Sequence, residues 1–204
     1  MTSTRKEHWE NVYNTKTPKQ VSWTQQKPDT SLTLIQSCKR GKAAPIIDIG
    51  GGDSQLVDHL LDLGYTDVTI LDISGIALER AKERLGEKAK LVTWIESDIT
   101  EFKPNRSYSI WHDRATFHFL TEKKEINRYK EIVSGFVTNN LLIGTFSVNG
   151  PLKCSGLEIS QYDSNSLNSQ FKPTFELQDS FTEDHTTPFD TTQNFLFSSF
   201  SRKP

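Results

Sequence analysis

Sulfur is scarce in this chain, with one methionine and two cysteines among 204 residues. Cys38 and Cys154 lie far apart and form no CxxC pair, so the sequence suggests neither a disulfide framework nor the ligand spacing of a zinc site, and no metal is expected. Long apolar runs are missing too. Nowhere do the roughly 18 consecutive apolar residues of a membrane span occur, and the start, Met1-Thr2-Ser3-Thr4-Arg5-Lys6-Glu7-His8, lacks the apolar stretch of a secretory signal. The expectation is a soluble, unexported protein of the reducing cytoplasm, without a membrane partner. Neither sign of charge dominates, because 24 basic and 26 acidic residues leave a formal charge of -2 with no long block of either. The basic footprint that usually accompanies nucleic-acid binding is therefore absent.

What is present is an alternation of strand and helix patterns. Ile46 to Ile49 is a short, β-branched run suited to a strand buried on both faces, and it ends in Gly50-Gly51-Gly52-Asp53-Ser54-Gln55. Glycines there let the backbone turn tightly and approach a ligand. Asp48 is out of place in such a run, since a buried carboxylate is costly unless it is hydrogen-bonded or paired, and it points to the site rather than the core. Further strands are expected at 67–72, 90–95, 107–112 and 140–147. Helices are expected near 5–13, 29–39, 54–63, 74–85 and 122–136, with Asp29 or Thr30 capping the second and Gly41 ending it. Units of about 25 to 30 residues of this kind build a parallel sheet covered by helices on both faces. After Gly150-Pro151 the pattern changes. Residues 163–171 read as a short helix, and 174–181 and 195–200 as two antiparallel strands joined by 182–194.

In a doubly wound sheet, ligands bind beyond the carboxyl ends of the strands. The polar residues that look misplaced all fall at such ends: the glycine turn, Asp72, Asp98, and Asp113 with Arg114. Asp72 follows Gly52 by 20 positions, the distance at which an acid ending the second strand accepts hydrogen bonds from ribose hydroxyls. A dinucleotide turn would need a third glycine, and a phosphate-binding loop would need Gly-Lys-Ser/Thr. Both are missing.

Asp48-x-Gly50-x-Gly52, Leu71-Asp72-Ile73-Ser74, Ser97-Asp98-Ile99 and the closing antiparallel pair together resemble class I S-adenosylmethionine-dependent methyltransferases. The resemblance implies an α/β, Rossmann-like, seven-stranded, mostly parallel sheet of order 3-2-1-4-5-7-6, with strand 7 antiparallel and helices on both faces. It implies S-adenosyl-L-methionine as cofactor, with Gly50, Gly51 and Gly52 facing its methionine part, Asp72 its ribose and Asp98 its adenine amino group. Ile73 and Ile99 would sandwich the adenine, and Asp113 and Arg114 would border the methionine end. A sulfonium and an ammonium suit a pocket rimmed by Asp48, Asp72, Asp98 and Asp113. His112-Asp113-Arg114-Ala115-Thr116-Phe117-His118-Phe119-Leu120, Cys154-Ser155-Gly156-Leu157 and His8-Trp9-Glu10-x-x-Tyr13 with Ser22-Trp23 are similar to a group of small bacterial-type methyltransferases with poorly defined substrates. The expected organisation is a lid or arm over 1–28 and the methyltransferase domain over 29–204.

Alignment of nucleophile and methyl group can supply about 7 to 11 kcal/mol of the barrier reduction, so a base is needed only for an acceptor that arrives protonated. His118 and His112 are the candidate bases, and a packed histidine with a satisfied ring is the alternative in the Phe117-His118-Phe119 setting. Trp23 is expected at the cofactor, and Trp9, Tyr13, Phe117, Cys154 and Tyr162 at the acceptor. For Cys154 a small buried hydrophobe is favoured over a reactive thiol, because no cation beyond Lys153 stands near it in sequence. Arg114 reads as an anion clamp or as a structural pair with Asp113 or Glu122. The leading expectation is methyl transfer to a small molecule. A protein lysine methyltransferase is the alternative, although Asp113-Arg114-Ala115-Thr116 departs from that branch's Asp-Lys-Gly-Thr. A non-catalytic cofactor-binding protein is the third. Nucleic-acid substrates rank low, because neither the Asn/Asp-Pro-Pro-Tyr/Phe motif nor a Pro-Cys nucleophile occurs. The sequence leaves the oligomeric state open.

Overall fold

The computed structural model describes residues 4–204. Met1, Thr2 and Ser3, the start of the expected arm, lie outside the described residues. The short apolar runs form five parallel strands: β1 (Ile46–Ile49), β2 (Val68–Asp72), β3 (Val92–Glu96), β4 (Tyr108–Arg114) and β5 (Val137–Phe146). A hairpin of two-residue strands, β6 (Lys153–Cys154) and β7 (Leu157–Glu158), stands apart from them. The long strands β8 (Phe175–Thr186) and β9 (Thr192–Arg202) complete a seven-stranded sheet of order β3-β2-β1-β4-β5-β9-β8, in which β9 is antiparallel to both neighbours. Apart from the small hairpin this is the expected topology.

The helices are α1 (Arg5–Thr15), α2 (Asp29–Ser37), α3 (Leu56–Asp62), α4 (Gly75–Leu85), α5 (Lys123–Phe136) and α6 (Ser164–Phe171). Side chains alternate across the sheet, so one strand feeds two cores. Leu141 and Ile143 of β5 join Trp111, Tyr129 and Phe171 on one face, while Leu142 and Phe146 join Ile35, Leu60 and Phe195 on the other. Ser74 caps α4 by accepting from the Ala77 amide at 3.1 Å.

Three boundaries differ from expectation for identifiable reasons. Helix α2 starts behind Pro28 with no side-chain cap, and Lys39, at φ 51°, turns the chain ahead of Gly41. A proline presets the backbone at a helix start, which leaves Asp29 free to pair with Lys27 at 2.6 Å. Strand β4 runs on through Asp113 and Arg114, so both are held by the ladder with β5. Strands β8 and β9 pair from Phe175–Arg202 to Thr186–Thr192, through the stretch expected as a connection. The polar outer face of that hairpin hides its period from the sequence. Among the described residues, no helix is long and apolar enough to cross a membrane.

A buried relay ties β4 to α5. Trp111 Nε1–H donates to the Tyr129 hydroxyl at 2.9 Å, and that hydroxyl donates to Asp113 Oδ2 at 2.7 Å. Tyr129→Phe leaves the indole N–H unpartnered and Asp113 short of a donor. Its expected cost is about 1–3 kcal/mol, seen as a lower urea midpoint with an unchanged slope. An unchanged midpoint would show that the relay contributes nothing.

Candidate active site

A cavity of about 210 Å³ lies beyond the carboxyl ends of the central strands. Its floor begins with the acid inside β1. Asp48 stands in register beside His112 of β4, and His112 Nδ1–H donates to Asp48 Oδ1 at 2.7 Å. With its proton there, the ring accepts at Nε2 from the Ser31 hydroxyl of α2 at 2.9 Å. The three residues line the cavity and make a serine–histidine–aspartate chain joining β1, β4 and α2. That chain answers the cost of burying Asp48.

The glycine turn follows. Gly50 has φ 66°, and a Cβ there would collide with the Thr116 hydroxyl. Gly52, at φ 45°, lies beneath Tyr13, where a Cβ would come within 2.7 Å of the phenol oxygen. Two arginines of α4 brace the turn. Arg84 donates to the carbonyls of Asp53 and Ser54, both at 2.7 Å, and Arg80 stands 3.5 Å from the Asp53 carboxylate. Neither was singled out in the sequence, although their basic character on the last turns of α4 is the visible signal.

Asp72, Ile73, Asp98 and Ile99 line the same side of the cavity. Asp72 Oδ1 accepts from the Ser74 amide at 2.8 Å. Burial outweighs that bond and pushes its pKa up to about 7. Asp98 Oδ1 accepts from the amide and hydroxyl of Thr100, at 2.8 and 2.7 Å, and its Oδ2 accepts from Arg5 at 3.0 Å. Arg5 also pairs with Glu125.

Helix α1 is fastened above this edge by an acid that the sequence reading passed over. Glu10 accepts from the Gly75 amide at 2.9 Å, the Ile76 amide at 3.2 Å and the Ser74 hydroxyl at 2.8 Å. A carboxylate there meets the positive end of α4 and its unpaired amides. With α1 held in place, Trp9 packs on Phe119, Trp23 and Tyr13, with ring centroids 5.0, 5.7 and 6.3 Å away. The 16–28 segment is pinned by its backbone, as Arg114 Nη1 donates to the Trp23 carbonyl at 3.1 Å and His185 Nε2 donates to that of Ser22 at 2.7 Å.

Several expected site residues are elsewhere. Gly52 does not line the cavity. Asp113 is fully buried at the end of β4 and holds the next turn, accepting from the amides of Thr116 and Phe117 at 3.0 and 3.1 Å. Burial pushes its pKa up to about 6, against the bonds that favour its charge. It caps a turn and borders no ligand space. That turn needs a cap, because Ala115 sits at φ 69°, a conformation costing a non-glycine residue about 1–2 kcal/mol. His118 lies outside the cavity, stacked 4.6 Å from Phe146, and its Nδ1 accepts from the Phe146 amide at 3.3 Å. Burial, aided by Arg114, pushes its pKa down to about 3, so it is a neutral core histidine and no base. Phe117 and Tyr162 pack on each other at 5.4 Å in the α5–α6 core, also outside the cavity. Asp113, His118, Phe117 and Tyr162 thus lie outside the cavity lining, Asp113 because β4 turns it to the opposite face and the other three because they pack against core side chains. Trp9, Tyr13, Trp23, Asp48, Gly50, Gly51, Asp72, Ile73, Asp98, Ile99, His112, Arg114 and Cys154 remain along the cavity. Tyr13 stands over the glycine turn and packs against Trp9 and Trp23, with ring centroids 6.3 Å away in both cases. Cys154 is a buried thiol whose pKa burial pushes up to about 11, which matches the hydrophobe reading. Phe119, Phe146, Phe195 and Gln193, unmarked in the sequence, complete the other wall.

A parallel sheet closed by one antiparallel strand, with a glycine turn and acids at successive strand ends, defines the class I S-adenosylmethionine-dependent methyltransferase fold. Residues 46–134 match the family model described as a methyltransferase domain. The structure of a SAM-dependent methyltransferase from Anabaena variabilis superposes with a TM-score of 0.77 at 14% identity, covering 99% of this chain and 96% of that one. A Burkholderia thailandensis 1,6-didemethyltoxoflavin N1-methyltransferase, solved with 1,6-didemethyltoxoflavin and S-adenosylhomocysteine, superposes with a TM-score of 0.67 at 15% identity over 95% of this chain and 82% of its own. In sequence, the eEF1A lysine and N-terminal methyltransferase of Mus musculus is 30% identical over 83 residues, 40% of this chain. The chain spans 12% of that relative's length.

Glu10→Gln removes the charge that α1 places at the start of α4. Amide hydrogen exchange across residues 5–15 is expected to quicken about tenfold, as a loss near 1.4 kcal/mol requires, with protection of β1 and β4 unchanged. Equal exchange in both proteins would mean that α1 docks through its aromatic face alone.

Proposed function

We propose that the chain is an S-adenosylmethionine-dependent methyltransferase acting on a small-molecule nucleophile. The observation that carries this reading is the division of the cavity. Asp72, Asp98 and Asp48, with Ile73 and Ile99, suit a flat, cationic adenosyl compound on one side, and the aromatic roof of Trp9, Trp23 and Phe119 encloses the other. When bound, S-adenosylmethionine supplies a methyl group made electrophilic by its sulfonium. The residues of the chain bind, orient and exclude water. Asp72 would accept the ribose hydroxyls, Ile73 and Ile99 would flank the adenine beside Asp98, and Gly50 and Gly51 would let the backbone approach. Residues 1–28 act as the lid, with Trp23 and Trp9 over the reacting groups. His112, oriented by Asp48, takes the proton of an acceptor that arrives protonated, through Ser31 or in its place.

A protein lysine acceptor is the second reading, supported by the eEF1A methyltransferase relative. It requires an open groove, and the tryptophan roof counts against it. Methyl-labelled cofactor added to a lysate with the protein is expected to label the small-molecule fraction, and His112→Asn to slow that labelling about a hundredfold at saturating cofactor. Label confined to a protein band would establish the second reading. Binding of cofactor with no transfer to either fraction would identify a non-catalytic binding protein.

Asp72 makes cofactor affinity pH-dependent. Ribose hydroxyls donate to the carboxylate, so binding selects the ionised form of a group with a pKa of about 7. Calorimetry with S-adenosylhomocysteine should show affinity falling up to tenfold per unit below pH 7 and levelling above it. Asp72→Asn weakens binding and flattens the profile. A flat profile in the unsubstituted protein would remove Asp72 from the ribose. For folding, the sign is opposite to that of a paired acid. The folded pKa lies above the unfolded value near 3.9, so this contribution is present below pH 4 and lost as pH rises through about 7.

A further inference from the structure

Arg5, Arg84 and Arg114 are the basic residues along the cavity. Arg5 is paired with Asp98 and Glu125, and Arg84 with Asp58. Among the described residues Arg114 forms no ion pair; its Nη1 donates to the Trp23 carbonyl, while Nε and Nη2 are inaccessible to solvent and have no hydrogen-bond partner there. Buried donors without partners are uncommon, and charged ones more so. Nε–H and Nη2–H form one edge of the guanidinium, two parallel donors spaced to grip both oxygens of a carboxylate.

The surroundings build this arginine as a site. Its stem lies over Gly144 of β5, where a Cβ would come within 3.4 Å of Arg114 Cγ and 2.8 Å of the Phe197 ring. Glycine there makes room for the Phe197 ring, and the arginine stem lies in ordinary contact beside it. The guanidinium lies over the Phe195 ring at 4.6 Å, which orients its plane. Glu183 and Asp48 act on it through space, yet Glu183 is spent on the Thr30 hydroxyl and Asp48 on His112. Burial lowers its pKa to about 10, which leaves it charged at neutral pH. Arg114 shares the cavity lining with Cys154, Phe195 and Gln193.

The geometry points to Arg114 as the recognition residue for a carboxylate on the methyl acceptor, which makes the substrate a small organic acid. This rests on the methyltransferase reading and narrows it. Two opposite charges then divide the cavity, acids for the cationic cofactor and one arginine for the anionic acceptor. A lysine side chain would meet a like charge at this end, which adds to the case against a protein substrate.

The test uses the full chain loaded with S-adenosylhomocysteine, titrated with phenylacetate and with phenylacetamide, a neutral counterpart of the same shape, while the fluorescence of Trp9 and Trp23 is followed. The acid is expected to bind at least tenfold more tightly than the amide. Arg114→Gln should abolish that preference, measured at saturating S-adenosylhomocysteine so that a change in cofactor affinity from the lost Trp23 contact does not enter. Should the glutamine variant not fold, Arg114→Lys keeps the charge without the fork and should retain a preference reduced several-fold. Equal affinities, or no binding of either probe by protein that binds S-adenosylhomocysteine, overturn the inference and leave the methyltransferase reading standing. It is also overturned if Arg114→Gln weakens S-adenosylhomocysteine tenfold while the acid preference persists, since the fork then holds the methionine carboxylate of the cofactor. No heat with S-adenosylhomocysteine overturns both readings together.

Discussion

A carboxylate inside the first strand is the constraint on which the rest of the site depends. Asp48 is buried at the centre of the sheet, and it can exist there because parallel register sets His112 beside it and α2 brings Ser31 to the far nitrogen of that ring. The three residues come from elements far apart in sequence, so the pair forms only when β1, β4 and α2 have assembled. Removing any partner would leave a charge in the interior, and breaking a buried pair is far more damaging than never having one. The local cost of the acid thereby enforces the arrangement of the strand ends around the cavity.

From that centre the carboxyl edge of the sheet takes opposite characters on its two sides. Toward β2 and β3 the strand ends carry Asp72 and Asp98, and Arg80 and Arg84 brace the glycine turn from α4. Toward β5 and β9 the wall is aromatic and holds one arginine. The polarity follows from topology, because β1 stands between the two halves and the crossovers deliver successive strands first to one side and then to the other. A cation and an anion brought together for in-line displacement would be received by opposite ends of one cavity. The electrostatic complementarity acts over a few ångströms inside a poorly hydrated space, where it is strongest.

The N-terminal segment is joined to this scaffold by polar contacts at its ends and by rings between them. Glu10 uses the amides at the start of α4, Arg5 uses Asp98 and Glu125, and the backbone of 22–23 is held by His185 and Arg114. These are few and separable contacts compared with the two sheet cores. Segments of that kind open at lower free energy than the fold as a whole. The arm bears residues of the cavity wall, among them Trp9, Tyr13 and Trp23, as the proposed lid requires.

The sequence by itself determined the order and kind of the elements, the sheet class, the glycine turn and the acids at the ends of β1, β2 and β3. Each of these is written in local pattern: β-branched runs, caps such as Ser74, and spacing along one chain. The direction of side chains at a strand end is not written that way. Asp113 and Arg114 are adjacent in sequence, yet the alternation of β4 and the left-handed turn at Ala115 bury one as a cap and send the other into the cavity. His112 and His118 are equal candidates as residue types, but only tertiary packing gave one a carboxylate and a hydroxyl and the other a phenylalanine face. Phe117 went to the core and Phe119 to the wall for the same reason. Glu10 and Arg5 acquired their roles from surfaces 64 or more residues away. Burial, register and long-range charge are properties of the assembled fold, and they decided which of the legible residues line the cavity and which hold the protein together.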